Sequence, residues 1–244
     1  HDALPISPHH TISPASLIGG GRIPKPGEVS LSHHGVLFLD EMPEFPKSAL
    51  EVLRQPLEDE CVTISRVNGT VTYPAKFMLI ASVNPCPCGF FGDESGKCTC
   101  SANQIKTYLG RISGPLLDRI DIQVEVKPLK FNDLSKKSEA ESSDSIKERV
   151  NKARELQLNR FKEDSVFSNS QLRPRQMNKY CNIGKDEEKL LKDAFDRFSL
   201  SARAYNRILK VARTIADLDN SDNIKVHHIA EAIQHRILDK KYCI

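Results

Sequence analysis

Two uninterrupted apolar runs, each followed by polar side chains, dominate the first half of the chain. Residues 35–39 form the first run, and it continues directly into Asp40 and Glu41. Residues 77–82 form the second, and Asn84 follows it. A strand buried on both faces has this continuous apolar pattern, and open α/β sheets bind ligands at the carboxyl ends of their strands. The pattern therefore predicts two neighbouring central strands whose polar tips form a site.

An Asp-Glu pair directly after an apolar strand has the form of a Walker B motif. In P-loop ATPases the Asp holds the Mg²⁺ of a bound nucleotide. The adjacent Glu can act as a general base on the attacking water. Two surface acids after an ordinary strand are the alternative. The chain contains no G-x-x-x-x-G-K-[ST] phosphate loop that would anchor the nucleotide.

A β-hairpin is predicted between the two apolar runs. β-Branched residues alternate over residues 62–67 and 70–73, on either side of an Asn-Gly pair at residues 68–69. Asn-Gly between alternating residues is the strongest local hairpin signal. Arg66 and Asn68 beside the turn suit contacts to a phosphate backbone, and an ordinary surface hairpin is the alternative.

Two further patterns predict a helix and a strand. Residues 48–58 have helical spacing of leucines, although Pro56 is expected to shorten or kink the helix. Apolar and polar residues alternate over 120–126, which predicts a half-buried strand. Arg119 lies just before it, where a guanidinium can reach a phosphate on a neighbouring subunit. A surface ion pair is the alternative for this arginine.

The second half of the chain has a helical pattern. Residues 131–143 lose apolar character and predict a linker between a first domain, residues 1–130, and a second, residues 144–244. Ser201 suits the N-cap of one predicted helix and places Arg203 in its first turn. The predicted helices span residues 144–161, 187–198, 201–218 and 226–238.

Composition narrows the class of protein only modestly. The 244 residues are 39% apolar and 27% charged, which is ordinary for a soluble globular protein. No apolar run approaches the length of about 20 residues that spans a bilayer. A net charge of +3 is not by itself a nucleic-acid signature. Without a secretory segment, the seven cysteines favour a cytoplasmic protein with metal-bound or free thiols over a disulfide scaffold.

Four of the cysteines form two closely spaced pairs. Cys86 and Cys88 make one C-x-C pair, and Cys98 and Cys100 make the other, with three glycines between them. Four thiolates in a short segment suit a structural zinc site that stabilises a loop without its own core. The C-x-C spacing is tighter than the usual C-x₂₋₄-C, so free thiols or a redox pair are alternatives.

Taken together and in this order, the motifs resemble the magnesium-chelatase-like AAA+ ATPases of the YifB/ComM family. The phrases at residues 24–31, 51–59 and 84–89 are similar to that family in particular, and the resemblance extends over nearly the whole chain. It implies an α/β fold: a partial AAA+ P-loop core with a parallel sheet and a β-hairpin insert, followed by an all-α lid domain. The hairpin at residues 62–73 is similar to the helix-2 insert, which family members use at the ring pore.

The resemblance also implies roles for individual residues. Asp40 and Glu41 correspond to Walker B, with Asp40 as the ligand of the Mg²⁺ that accompanies ATP. Asn84 is similar to sensor 1, Arg119 to the arginine finger and Arg203 to the sensor 2 arginine. Asn84 and Arg203 would then contact the nucleotide.

The activity implied is that of an ATP-hydrolysing ring motor, a homo-oligomer expected to be a hexamer, acting on single- or double-stranded DNA. ComM members promote DNA branch migration in natural transformation. The family carries a Lon-like domain and a Walker A loop before this region, so we expect the chain to be a C-terminal fragment. A magnesium-chelatase-type motor that drives Mg²⁺ into a porphyrin is one alternative. A non-catalytic adaptor is another, motivated by the missing phosphate loop.

Overall fold

The structure, a computed structural model, describes residues 5–66, 69–93, 95–127 and 141–242. The described residues divide into one compact unit that ends at Ile120 and a second that runs from Asp121 to Lys241. Of the predicted linker, residues 131–140 lie outside the described residues. The strands of the first unit are β1 (Gly19–Gly20), β2 (Lys25–Pro26), β3 (Val36–Leu39), β4 (Cys61–Arg66), β5 (Gly69–Pro74) and β6 (Met78–Ala81). Its described helices are α1 (Pro14–Ile18), α2 (Glu28–Leu31), α3 (Lys47–Glu51), α4 (Arg54–Asp59), α5 (Ala102–Leu109) and α6 (Gly114–Leu117).

The two apolar runs form adjacent parallel strands, as predicted. β3 and β6 pair in register from Val36 opposite Met78 to Leu39 opposite Ala81. Ile6 lies on the other side of β3, where its N–H donates to the Val36 carbonyl at 3.0 Å. Parallel strands in register bring their carboxyl ends to the same edge. The residues that follow β3 and β6 therefore meet there.

Burial of β6 differs from the prediction. β3 has buried and half-buried residues in alternation, but Met78 and Ile80 of β6 are 62% and 44% exposed. Leu79 and Ala81 pack against the core of this unit. Because side chains alternate between the faces of a strand, only one face of β6 is covered by the described residues of this chain.

The hairpin prediction is confirmed. β4 and β5 pair antiparallel from Cys61 opposite Pro74 to Arg66 opposite Gly69. One side of β4 packs Val62 and Ile64 into the core. Asn68, the predicted turn residue, lies outside the described residues.

Residues 48–58 are largely helical, as predicted, and the disturbance expected from Pro56 divides them into α3 and α4. The division falls at Val52 and Leu53. A proline ring clashes with the carbonyl four residues earlier and offers no N–H to bond it. For Pro56 that carbonyl belongs to Val52, so the break lies where the proline requires it.

The strand predicted over residues 120–126 is wrong. Residues 120–127, all of them described, form neither helix nor strand, and Val124 and Val126 are 66% and 87% exposed. The Gln123 N–H instead donates to the His235 carbonyl at 2.9 Å. Alternating apolar and polar residues suit a strand, but a strand also needs the edge of another strand to pair with. Among the described residues, the hydrogen-bond partner of Gln123 belongs to a helix instead.

The second unit is helical in its described part, which confirms the predicted fold class. The side chain of Ser201 accepts a hydrogen bond from the Ala204 N–H at 3.1 Å, as expected for an N-cap. Within the described residues, no helix is both long and apolar enough to span a bilayer. The helices are α7 (Ser143–Arg160), α8 (Pro174–Tyr180), α9 (Lys185–Phe198), α10 (Ala202–Leu218) and α11 (Val226–Tyr242).

A buried ion network crosses the core of the helical unit. Asp217 of α10 is fully buried and accepts hydrogen bonds from Asn169 at 2.8 Å and from Arg213 Nε at 3.2 Å. Arg160 of α7 makes a two-pronged ion pair with the same carboxylate. A buried charge is tolerated when it is paired and hydrogen-bonded, so this network fixes α7 against α10.

Candidate functional site

The tips of β3 and β6 are joined by a serine that sequence analysis did not single out. Ser82 follows β6, and its hydroxyl donates to Asp40 Oδ1 at 2.5 Å. The same hydroxyl accepts the Glu41 N–H at 2.8 Å. Backbone bonds continue the pairing beyond the strands, from Ser82 N–H to the Leu39 carbonyl and from Met42 N–H to the Ser82 carbonyl. Ser82 therefore fixes the start of the Asp-Glu pair. Its position at the end of the second apolar run was the one available signal.

The backbone of Glu41 is left-handed, with φ 50° and ψ 51°. This conformation costs a residue with a side chain about 1–2 kcal/mol, so surrounding bonds must hold it. Glu41 Oε1 accepts a hydrogen bond from Asn84 Nδ2 at 3.3 Å. The structure thus brings together Asp40, Glu41 and Asn84, and all three are exposed to solvent.

A buried tyrosine lies behind Asn84. Tyr108 of α5 is 4% exposed, and its hydroxyl lies close to the Asn84 side chain. Burial, followed by the negative charges of Glu44 and Glu41, raises the pKa of Tyr108 to about 12. The phenol therefore stays protonated at neutral pH and remains available for hydrogen bonding.

Arg111 fixes the turn after the Asp-Glu pair. Its Nη1 donates to the Pro43 carbonyl at 2.9 Å and to Glu44 Oε2 at 3.1 Å. Neither Tyr108 nor Arg111 was singled out from the sequence, because no short motif links them to residues some 25 to 70 positions earlier.

Arg119, predicted to be a finger, is buried and forms an ion pair with an exposed carboxylate. Its side chain is 7% exposed and pairs with Glu58 of α4. Its Nη1 also donates to the Pro115 carbonyl at 2.7 Å. Arg119 is thus held by α4 and by the start of α6 rather than within the hydrogen-bond network of the strand tips.

The remaining predicted arginines are exposed. Arg203 lies in the first turn of α10, and the structure describes that unit by itself. Arg66 ends β4 and donates to the Ser65 carbonyl at 3.1 Å. Both arginines are exposed residues.

The four clustered cysteines converge. Their sulfur atoms all lie within 4.8 Å of one another, and Cys86 is buried while the others are half-buried. Cys86 Sγ lies 3.3 Å from that of Cys88 and 3.8 Å from that of Cys98, and the last two are 3.6 Å apart. A disulfide needs about 2.05 Å, so these are separate thiols. The structure therefore brings the four predicted cysteines together.

Backbone N–H groups are directed at these sulfurs. The Phe90 N–H lies near the Cys88 sulfur, the Cys88 N–H near that of Cys100, and the Cys100 N–H near that of Cys98. The Phe90 N–H, followed by the Cys86 side chain, lowers the pKa of Cys88 to about 6. Although the nearby N–H groups oppose it, burial and the neighbouring thiols raise the pKa of Cys98, and the neighbouring thiols and burial raise that of Cys100 to about 12. Cys88 is therefore the cysteine most readily present as a thiolate, the form that binds metals.

Comparison with known proteins decides the family. The family model described as magnesium chelatase, subunit ChlI, matches residues 4–134. The model for the C-terminal part of the same subunit matches residues 140–236. The chain belongs to the magnesium chelatase ChlI family. The two family models together match most of both structural units.

The individual proteins to which this chain is similar include bacterial proteins of the predicted YifB/ComM type. The chain is 43% identical to the uncharacterized protein YifB of Salmonella typhimurium, over 96% of this chain and 45% of YifB. It is 42% identical to the competence protein ComM of Haemophilus influenzae, over 95% of this chain and 45% of ComM. The uncharacterized protein Rv2897c of Mycobacterium tuberculosis is 38% identical, over 95% and 46% of the two chains. The chain thus spans about half the length of the curated relatives that it matches.

The strand tips fit the Mg²⁺ of a nucleotide, which the ChlI family implies. Mg²⁺ prefers carboxylate oxygens and binds through one or two carboxylates together with phosphates. Asp40 is exposed, and among the described residues the bond from Ser82 engages only its Oδ1. Its Oδ2 therefore has the chemistry and the access of a Mg²⁺ ligand.

A second cluster, made of Asp219, His227 and His228, has a different purpose. His228 is fully buried, and its Nδ1 accepts the Lys225 N–H at 2.9 Å. The neutral ring then carries its proton on Nε2, which donates to Asp219 at 3.1 Å. A protonated nitrogen cannot ligate a metal. These residues therefore fasten the start of α11 to the end of α10.

Proposed function

We propose that this chain is the hydrolytic part of a ring-forming ATPase motor of the YifB/ComM type, and that the motor acts on DNA. One observation carries the proposal: Asp40, Glu41 and Asn84 lie together at the carboxyl ends of paired parallel strands, linked by Ser82. Parallel sheets bind their ligands at this edge.

Each residue at the tips has a distinct role in the proposal. Bound Mg²⁺ would neutralise charge on the phosphates of ATP, and Asp40 supplies a carboxylate oxygen to hold it. Glu41 accepts the proton of the attacking water. Asn84 hydrogen-bonds the Glu41 carboxylate and so orients the base, and Ser82 keeps both acids at the strand edge.

The arginines complete the proposal. Arg203 contacts nucleotide phosphates, and Arg119 reaches the phosphate of a neighbouring subunit in a homo-oligomeric ring, expected to be a hexamer. An arginine supplied in trans makes hydrolysis depend on assembly. Arg119 can act this way only if its ion pair with Glu58 opens, which predicts a change at α4 when subunits assemble.

DNA is the proposed substrate because one relative is named a competence protein. The β4–β5 hairpin ends in an exposed Arg66, which suits contact with phosphates irrespective of sequence. A cytoplasmic location follows from this substrate. The other candidate, a motor that drives Mg²⁺ into a porphyrin, would share the hydrolytic residues but would have no reason to respond to DNA.

The proposal includes a zinc ion held by Cys86, Cys88, Cys98 and Cys100. In a tetrahedral site with Zn–S bonds of about 2.3 Å, sulfur atoms are about 3.8 Å apart. Three of the sulfur–sulfur distances in the structure, 3.3, 3.6 and 3.8 Å, are close to this value. Four soft thiolates select zinc over Mg²⁺, so the two metals would occupy separate sites.

The test uses a protein with this chain at the full length of its relatives. Glu41→Gln should keep nucleotide affinity and lose at least roughly a hundredfold in turnover, the scale of a lost general base. Glu188→Gln, the same change on the exposed side of α9, is the control and should behave as wild type. Unchanged turnover in Glu41→Gln would remove Glu41 from its role.

Substrate choice needs a separate measurement. ATP turnover should rise when single- or double-stranded DNA is added and should not respond to a porphyrin. The opposite pattern would favour the chelatase motor, and the result leaves the role of Glu41 untouched because both motors need it.

A further inference from the structure

We infer that the four-cysteine site positions Asn84, so that zinc occupancy controls the geometry of the hydrolytic base. The inference rests on the proposed function, in which Asn84 orients Glu41. It adds a connection between two sites that the family comparison does not link.

The connection begins in the order of residues along the chain. Asn84 follows β6 and lies two residues before the buried Cys86. At the other end of the segment, Cys100 directly precedes Ser101, the N-cap of α5. One ion bound by both cysteine pairs would therefore join the end of β6 to the start of α5.

Little else holds the intervening segment. Among the described residues between Cys86 and Cys100 there is no helix or strand, and Phe90 and Phe91 are 42% and 40% exposed. Gly89 turns the chain with φ 81°, and its N–H donates to the Cys86 carbonyl at 3.0 Å. A segment without a core keeps one conformation when a metal closes it.

The second half of the connection is α5 itself. Its first turn is fixed by a reciprocal capping box between Ser101 and Gln104. Near its other end, the buried phenol of Tyr108 lies close to the Asn84 side chain. Asn84 is thus contacted from two directions, by the chain that leads into the cysteines and by Tyr108 of α5. A bound ion would connect the two.

Removal of the metal ion is expected to loosen both α5 and Asn84. A short helix is stable mainly through its contacts, because nucleating a few turns in isolation is unfavourable. With the ion removed, the start of α5 loses its attachment, and the contact between Tyr108 and Asn84 must be kept by packing alone. Asn84 then samples other positions, and Glu41 loses the donor at 3.3 Å that orients it. Asp40 is unaffected because Ser82 holds it.

The experiment combines metal content with amide hydrogen exchange, in a protein of the relatives' full length. Purified protein should contain about one zinc ion per chain, as a closed tetrahedral site requires. The variant with Cys98→Ser and Cys100→Ser should lose it. Exchange across α5 should then accelerate by roughly tenfold or more, as local opening predicts, while exchange across α10 stays unchanged. Cys61→Ser, a thiol outside the cluster, is the control and should keep zinc and protection.

A second measurement covers the case in which the double variant does not fold. Wild-type protein stripped with a chelator should show the same loss of protection in α5, and added Zn²⁺, but not Mg²⁺, should restore it. Turnover should fall with zinc loss while nucleotide affinity stays within a few-fold. Combining the cysteine changes with Asn84→Ala should lower turnover no further than Asn84→Ala alone.

The outcomes separate this inference from the proposed function. No zinc in anaerobically purified protein, or zinc loss with unchanged exchange across α5, would overturn the inference and leave the Glu41 test standing. Zinc-dependent protection of α5 in a protein that does not hydrolyse ATP would support the metal connection and overturn the proposed function instead.

Discussion

Replacing Ser82 with alanine isolates the contribution of the hydroxyl that joins the strand tips. The change removes two hydrogen bonds, one to the Asp40 carboxylate and one from the Glu41 N–H. A bond to a charged group contributes about 1.5–3 kcal/mol and a neutral one about 0.5–1.5 kcal/mol. Because both acids are exposed, water replaces part of the loss, and we expect a net cost of about 1–2 kcal/mol.

That cost should appear mainly in turnover. Glu41 has a left-handed backbone that the Ser82 bond helps to hold, so loss of this bond lets the proposed general base relax from its position. A cost of about 1–2 kcal/mol corresponds to a roughly 5- to 30-fold fall in kcat. Nucleotide affinity should change less, because the Asp40 carboxylate is still present.

The assay is steady-state ATP turnover with nucleotide binding measured in parallel, at the full length of the relatives. Ser82→Thr is the matched control, since it keeps the hydroxyl and suits the end of a strand. Turnover of Ser82→Ala equal to that of wild type would refute the positioning role. So would an equal loss in Ser82→Thr, because the hydroxyl would then not be the cause.

Three further predictions concern other parts of the fold. Asp217→Asn should lower the free energy of unfolding by about 3–5 kcal/mol in urea titrations followed by circular dichroism, because it leaves buried Arg213 and its neighbours uncompensated; a loss below about 1 kcal/mol would contradict the network's role. Tyr108→Phe should keep the fold and lower turnover several-fold, and wild-type turnover would show that the phenol is dispensable. Arg66→Ala should reduce the stimulation of ATP turnover by DNA and its salt dependence while basal turnover stays constant, whereas the same change at exposed Arg22 should do neither.

The strand tips could be predicted because their signal is local. Four consecutive apolar residues before Asp40 predict a buried strand of a parallel sheet. Parallel pairing then brings the carboxyl end of β3 and that of β6 to the same edge. The contact between Glu41 and Asn84 follows from that topology. The hairpin was equally local, since an Asn-Gly pair defines its turn.

Long-range partners could not be predicted in the same way. The Glu58 that pairs with Arg119 and the Tyr108 that contacts Asn84 lie far from those residues in sequence and carry no motif. The strand predicted over residues 120–126 failed because alternation shows that a segment could pair without showing a strand edge to pair with. The position of the break within residues 48–58, in contrast, is a local feature, because Pro56 clashes with the carbonyl four residues earlier.

The most direct test of the hydrolytic site is the nucleotide that stays bound to the Glu41→Gln variant after incubation with ATP and Mg²⁺. If Glu41 is the base at the tips of β3 and β6, quenched samples should contain intact ATP where wild type yields ADP. Complete conversion to ADP by Glu41→Gln, at the wild-type rate, would contradict the account.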